Sequence, residues 1–473
     1  YKIIDRNNIV TDIRRARNLS FSNLIKSCDV GLSSVVMKRS LFNNKIKFPN
    51  LKTKEDYVLW LKIARKGIII QGVNKTLMKW QKSNNSLSSN TLRKLFDGYS
   101  VYKIYMNFSM IKSFYSLLVL SINFVIKKKL MKIYSPFIIL LLIFLINFFL
   151  LKFKFLLSNT GDQHQQFINN TNVPLTGGFL IFLSFVFIFR ENVTLTMSFF
   201  LLSIFLLGIF SDIKLIISAN KRLIIQSIFT FIFFYLSGLK LTQTGIETLD
   251  ELNSFYLFNY LFVTFCLIIL INGSNFIDGL NGLCLGYYLI IIYFIFENNF
   301  NTTIFYSNNN LIIFALCLCV ILFYNFLGKV FIGDNGSYIL AVLMGTSLIQ
   351  IYNGDNSISS FYIILLLWYP CFELLFSMIR KYKFNTSPME PDNNHLHHLF
   401  FYFLKKKFKV KNLFANNVSS LIILLFNFIL FKIGSIDIYN SNKQCFLILT
   451  SIFLYILFYY YLTNWKKKLI KSE

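Results

Sequence analysis

The pattern of apolar and polar positions changes at about residue 105. Before it, charged and apolar residues mix irregularly and no apolar run is long enough to cross a bilayer. After it, apolar runs follow one another: a weak one near 108–126, then 135–157, 175–190, 193–210, 223–239, 255–272, 283–297, 310–327, 338–352, 360–379, 413–433 and 444–463. A helix crosses a bilayer with about 20 apolar residues. The runs therefore predict an all-α polytopic membrane protein, with 135–473 as the membrane-embedded domain, 106–134 as a weak membrane segment or linker, and 1–105 as a small α/β fragment.

Within the fragment, KTKEDYVLWLKIARKG from Lys52 to Gly67 sets Val58, Leu59, Leu61, Ile63 and Ala64 on one side of a helix. Glu55 and Asp56 fall in its first turn, where acidic groups complement the helix dipole. The upstream CDVGLSSVVMKRSLF, Cys28 to Phe42, reads as a small-residue turn followed by a strand. The chain opens on Tyr1 with neither an initiator Met nor a signal-peptide pattern, so its amino terminus is expected to lie outside this sequence.

Charge orients the runs. Lys and Arg number 48 against 21 Asp and Glu, a balance of +27, yet the lysines cluster beside apolar runs, which points to a membrane surface and not to nucleic acid. The connections at 211–222 and 380–411 and the tail after Trp465 are basic, whereas 240–254, 297–310 and 353–358 are neutral or acidic. The positive-inside rule places the basic set and the carboxy terminus in the cytoplasm, and alternation adds 158–174, 272–282 and 328–337 to that side. One conflict stays: a spanning 108–126 would leave Lys127, Lys128, Lys129 and Lys132 outside. The seven cysteines fall mostly within apolar runs and read as buried thiols, without a disulfide frame or metal knot.

The cytoplasmic connections carry the chemistry. The first, SNTGDQHQQFINNTNVPLTGG, holds His164 and a Pro-x-x-Gly-Gly turn at Pro174, Gly177 and Gly178. GIFSDIKLIISANKRLIIQ follows with Asp212 and Arg222, INGSNFIDGLNGLCLG with Asn272, Asn275, Asp278 and Asn281, and KVFIGDNGSYIL with Gly333 and Asp334. RKYKFNTSPMEPDNNHLHHLF adds Asp392 and three of the chain's four histidines, His395, His397 and His398. Singly these are ordinary: an Asp at a helix start is more often a cap, and Gly-Asp-x-Gly is usually a turn. Five on one face are a different matter. Carboxylate and amide oxygens suit Mg²⁺ together with substrate phosphates, glycine turns bring N–H groups to phosphate oxygens, and cationic groups neutralise a diphosphate as it changes partners. The His-x-His-His run alone also fits zinc, but no Cys stands nearby and the carboxylates favour a harder ion.

These motifs, over about 135 to 465, resemble those of the polyprenyl-phosphate N-acetylhexosamine-1-phosphate transferases. The resemblance implies a bundle of ten or eleven helices with a cytoplasmic active-site cleft in a bacterial inner membrane. It implies transfer of a sugar-1-phosphate from a UDP-N-acetylhexosamine to polyprenyl phosphate, releasing UMP, with Mg²⁺ or else Mn²⁺. Carried over by motif, Asp334 and Asn275 hold the metal, Asp278 and Asp212 are catalytic, and Asn272, Arg222, Gly333, His395, His397 and His398 bind substrate. Three departures stand out: Ser211-Asp212 where an Asp-Asp pair is common, Asn281 where a second Asp often follows Asp-Gly, and Glu373 after Pro370 where Asp is usual. A Ser at 211 removes one covalent nucleophile and favours direct attack by the lipid phosphate.

The fragment resembles the carboxy-terminal half of family-2 glycosyltransferases, which implies Asp56 as the base that activates an acceptor hydroxyl, Glu55 as its neighbour and Trp60 on the acceptor side. The family's nucleotide-binding half, with its metal-binding acidic motif, is not found in this sequence. Two rival classes remain, a flippase for a lipid-linked sugar and a non-catalytic scaffold, and a homodimer is an open expectation.

Overall fold

A computed structural model describes residues 2–4, 10–13, 16–41, 46–51, 53–73, 75–76, 78–81, 91–127, 130–153, 173–189, 193–216, 218–300, 302, 307–383, 385 and 394–472. The chain divides into two compact units, Tyr1–Met131 and Lys132–Glu473.

In the first unit, β1 (Lys2–Ile4) lies between β2 (Val10–Ile13), antiparallel to it, and β3 (Lys79–Gln81), parallel to it. Helix α1 (Phe21–Leu24) packs on α2 (Glu55–Arg65), whose Tyr57, Val58, Leu59, Trp60, Leu61, Ile63 and Ala64 form the core. Tyr57 donates its hydroxyl to Leu24 O at 2.6 Å and Tyr102 donates to Ile25 O at 2.7 Å, so the buried phenols close the turn after α1. The strand expected within 28–42 does not form; Leu32–Ser34 and Arg39–Leu41 are single 3-10 turns. Helices α3 (Thr91–Ser100) and α4 (Met110–Lys127) complete the unit. Leu120 of α4 is buried in the same core, so much of the expected linker belongs to this unit.

The elements of the second unit, among its described residues, are all helices. They are α5 (Leu130–Phe153, beginning at the boundary), α6 (Gly177–Phe189), α7 (Leu195–Asp212), α8 (Ala219–Ser237), α9 (Glu247–Asn253), α10 (Tyr256–Ile277), α11 (Leu283–Glu297), α12 (Asn308–Phe326), α13 (Gly333–Gly354), α14 (Ser360–Lys383), α15 (Leu396–Phe408), α16 (Asn412–Gly434) and α17 (Ser441–Ser472). Among the described residues six helices, α7, α10, α12, α14, α16 and α17, are long and apolar enough to cross a membrane. The chain is a polytopic membrane protein. Helix α4, the weak run, is not among the six.

The centre is α13. It packs against α6, α7, α10 and α11, and most of its circumference is buried. Small residues along it, Gly336, Ser337, Ala341, Gly345, Thr346 and Ser347, permit that close approach. Helix α10 packs on α8, α13 and α14, and α15 lies against α16 and α17. The amino end of α13 therefore sits where the ends of its neighbours meet.

Candidate active site

The first four N–H groups of a helix have no partner within it. At the start of α13 two of them are taken by the last residue of α7: Asp212 Oδ1 accepts Asp334 N at 2.9 Å, and Oδ2 accepts Asn335 N at 3.3 Å and Asn335 Nδ2 at 2.7 Å. The approach is close because Gly333 has φ +73°, and a side-chain carbon there would lie 2.8 Å from Asp212 Oδ2. Both carboxylate oxygens of Asp212, expected to act in catalysis, hold the Gly-Asp-x-Gly loop in place. The loop's other side is fixed by the Pro-x-x-Gly-Gly turn: Phe331 N donates to Pro174 O at 3.0 Å, Gly177 N to Phe331 O at 2.8 Å and Gly178 N to Ile332 O at 3.0 Å.

Asp334 is thereby presented beside α8. Its Oδ2 accepts Arg222 Nη1 at 3.0 Å and Tyr338 OH at 3.3 Å, and also the Ser211 hydroxyl, which in turn accepts from Arg222. Its Oδ1 accepts no hydrogen bond from the described residues. Both partners of the ion pair stay partly exposed, 27% for Arg222 and 20% for Asp334, so the pair is open to an incoming group.

The end of α10 supplies the next wall. Asn272 Nδ2 donates to Gln226 Oε1 of α8 at 3.0 Å and to Ile268 O at 2.9 Å, which makes it a brace between helices where a substrate contact was expected. Asn275 makes no side-chain hydrogen bond with the described residues. Asp278 follows the helix as its cap, and burial, with the negative charges of Asp334 and Asp212 added, holds its carboxyl well above the usual range against the opposing Gly333 N–H. Asn416 Oδ1 accepts Asn281 N at 2.8 Å, while Asn325 accepts Gly282 N at 2.5 Å and donates to Val330 O at 2.7 Å. Asn325 thus ties the Asp278 turn to the segment leading into Asp334.

The histidines close the site. His395 caps α15, and His397 and His398 fill its first turn, all three buried. A side-chain carbon on Gly279 would lie 2.4 Å from His398 Nε2 and 2.7 Å from His397 Nε2, so these rings pack on the Asp278-Gly279 turn. His395 meets Phe276 edge-on at 4.9 Å. The ends of α7, α8, α10, α13 and α15 therefore bring together Asp212, Arg222, Asp278, the Gly333-Asp334 loop and the histidine turn. Among the described residues no three His, Cys, Asp or Glu groups form a metal cage.

The sequence profile of glycosyl transferase family 4 matches residues 194–352, the stretch from α7 through α13 that holds Asp212, Arg222, Asp278 and Asp334. That match covers about a third of the chain, all of it within the membrane unit. The chain is similar to an undecaprenyl-phosphate alpha-N-acetylglucosaminyl 1-phosphate transferase of Thermotoga maritima, 27% identical over 48% of this chain and 68% of the relative. It is also similar to a probable undecaprenyl-phosphate N-acetylglucosaminyl 1-phosphate transferase of Bacillus subtilis, 29% identical over 62% of this chain and 80% of the relative. A third relative is of another kind: the UDP-Glc:alpha-D-GlcNAc-diphosphoundecaprenol beta-1,3-glucosyltransferase WfgD of Escherichia coli, 35% identical over 97 residues, which are 20% of this chain and 37% of the relative. A match of that length fits the first unit.

In that first unit Asp56 is half-buried, and burial raises its carboxyl above the ordinary value of 3.8 while the Tyr57 N–H, donated at 2.8 Å, opposes the rise. Trp60, expected on the acceptor side, is 2% exposed and lies within the core. At the membrane site, His164 and Asp392 lie outside the described residues. Sequence reasoning missed Gln226, Asn325 and Asn416, because asparagine is abundant along the whole chain and a structural amide carries no distinguishing pattern. It saw Glu373 only as a departure.

Proposed function

We propose that the membrane unit transfers N-acetylhexosamine-1-phosphate from a UDP-sugar to undecaprenyl phosphate, giving undecaprenyl-diphospho-sugar and UMP, at the cytoplasmic face of a bacterial inner membrane. The observation that carries this reading is the meeting of Asp334, Arg222, Asp278 and the histidine turn at one end of the bundle. An oxygen of the lipid phosphate attacks the β-phosphorus of the donor, the bond from that phosphorus to the bridging oxygen breaks, and UMP leaves with the electron pair. No covalent enzyme intermediate is needed, which accommodates Ser211. Such a transfer depends on positioning and on neutralising charge that spreads over phosphoryl oxygens. Arg222 and the histidine turn supply cationic and N–H groups, and Asp278 orients the attacking phosphate. The glycine loop of Gly333 brings backbone N–H groups within reach of the diphosphate.

The free Oδ1 of Asp334 and the uncommitted oxygen of Asn275 fit Mg²⁺, which takes one or two protein oxygens and completes its shell with water and substrate phosphates. When bound, the ion would supply charge stabilisation at the donor diphosphate.

The first unit fits the step that follows. The acceptor in WfgD's name is a GlcNAc-diphosphoundecaprenol, the class of product assigned to the membrane unit. Asp56 would serve there as the base toward an acceptor hydroxyl.

Proteoliposomes carrying undecaprenyl phosphate, supplied with UDP-GlcNAc or UDP-GalNAc labelled at the β-phosphorus, test the reaction. Label in the lipid with release of UMP is expected, and release of UDP with unlabelled lipid would overturn the reading by showing transfer of the sugar alone.

A further inference from the structure

Glu373 lies in α14, three residues after Pro370, and is 1% exposed. An ionised group inside a membrane helix is costly unless fully satisfied. Here the partners come from two other elements. Oε1 takes the Nδ1 of His395 at 2.9 Å and the Leu396 N–H at 3.4 Å, and Oε2 accepts the Tyr455 hydroxyl of α17 at 2.7 Å. The contact with Leu396 N fixes where α15 begins, and the contact with Nδ1 fixes how the His395 ring is turned. A ring held through one nitrogen presents the other in a set tautomer and direction. His397 lies 5.6 Å from the His395 ring, stacked, and 4.3 Å from the His398 ring, so the orientation passes along the turn that packs on Gly279.

We propose that Glu373, anchored by Tyr455, is a positioning residue for the transfer reaction: it sets the ring of His395 and the first turn of α15 so that the histidines face the diphosphate held between Asp278 and Asp334. This rests on the transferase reading above. It also gives the departure at this position a purpose, since one carboxylate spans both α15 and α17.

The test uses the full chain in proteoliposomes, with E373Q, H395Q, Y455F and the two double variants E373Q/H395Q and Y455F/H395Q. Positioning acts on the transition state, so E373Q is expected to lower kcat by about tenfold or more while KM for the UDP-sugar stays within about threefold. E373Q/H395Q is expected to be no slower than H395Q, because the two residues act as one unit. Y455F, which removes one anchor and leaves the carboxylate, is expected to lose several-fold in kcat with the same lack of additivity, and it decides the matter if E373Q does not fold. Independent losses that multiply in either double variant, or kcat in E373Q within about twofold of the parent, would overturn the proposal. Hydrogen exchange across 394–408 is expected to quicken in E373Q and Y455F without reference to turnover. A parent protein that releases no UMP therefore sinks the transferase reading, and unchanged exchange sinks the positioning role.

Discussion

At the scale of single residues, the site turns on which carboxylate is engaged and which is open. Asp212 and Asp334 were both legible as candidates, but only the structure separates them: Asp212 has both oxygens on the amino end of α13, whereas Asp334 shares Oδ2 with Arg222 and Ser211 and has no hydrogen bond to Oδ1 among the described residues. The general expectation that an Asp near a helix start is a cap holds for Asp212, with the helix in question more than a hundred residues further along the chain. No local pattern could have revealed that. Because Arg222 reaches Asp334 directly as well as through Ser211, S211A is expected to keep UMP release within about threefold, while R222A loses about a hundredfold or more, as for other groups that stabilise a transferring phosphoryl. Equal losses in the two variants would place the effect in the serine bridge.

At the scale of elements, helices were legible wherever a long apolar run coincided with a bundle helix, and each run from 135–157 to 444–463 has its counterpart between α5 and α17. Helices α9 and α15 were not foreseen. The first has only seven residues, and α15 carries Lys405, Lys406 and Lys407 after a short aromatic stretch, so a search for spans of about 20 apolar residues passes over both. The docking of the Pro174 turn on the α13 loop was invisible for a related reason, since its contacts are between backbone groups. It sets a sharp steric requirement: a side-chain carbon on Gly178 would lie 1.4 Å from Asn335 Oδ1 and 2.3 Å from Gly336 N. G178A is expected to destabilise the protein by about 1–3 kcal/mol through overpacking and to lower UMP release by more than the loss of folded protein explains. Thermal unfolding in detergent measured beside the assay checks this.

In the first unit, helix α2 was legible from its apolar face, and the strand expected after Cys28 was not formed, because β-branched Val35 and Val36 are too short a run to find a partner strand. Burial raises the Asp56 carboxyl, so its neutral form favours the fold: that contribution is complete below the ordinary value of 3.8 and is lost as pH rises through the raised value. D56N, neutral at every pH, is therefore expected to protect α2 from proteolysis in the full chain relative to the parent near pH 7, with the difference fading toward pH 4. A difference independent of pH would contradict this.

At the scale of the whole molecule, an excess of 27 positive charges, loops of alternating charge and a run of apolar helices gave the class of protein before any contact was known. What they could not give is the convergence: residues spread from 211 to 398 meet at one end of α13 because α7, α8 and α10 pack around it and α15 returns onto the Asp278 turn. The glycosyl transferase family 4 match over 194–352 covers the carboxylate part of that convergence, and the histidine turn joins it from outside the matched stretch. Transporters place their ionisable groups near the bilayer midplane, and here the proposed catalytic set lies at helix ends. On the proposed function, Asp334 is the carboxylate around which phosphoryl transfer takes place. UMP release from a UDP-N-acetylhexosamine, in proteoliposomes with undecaprenyl phosphate and Mg²⁺, tests it on the parent and on D334A matched for folded protein. A loss of about a hundredfold or more is expected in D334A; full activity in that variant would show that phosphoryl transfer does not depend on this carboxylate.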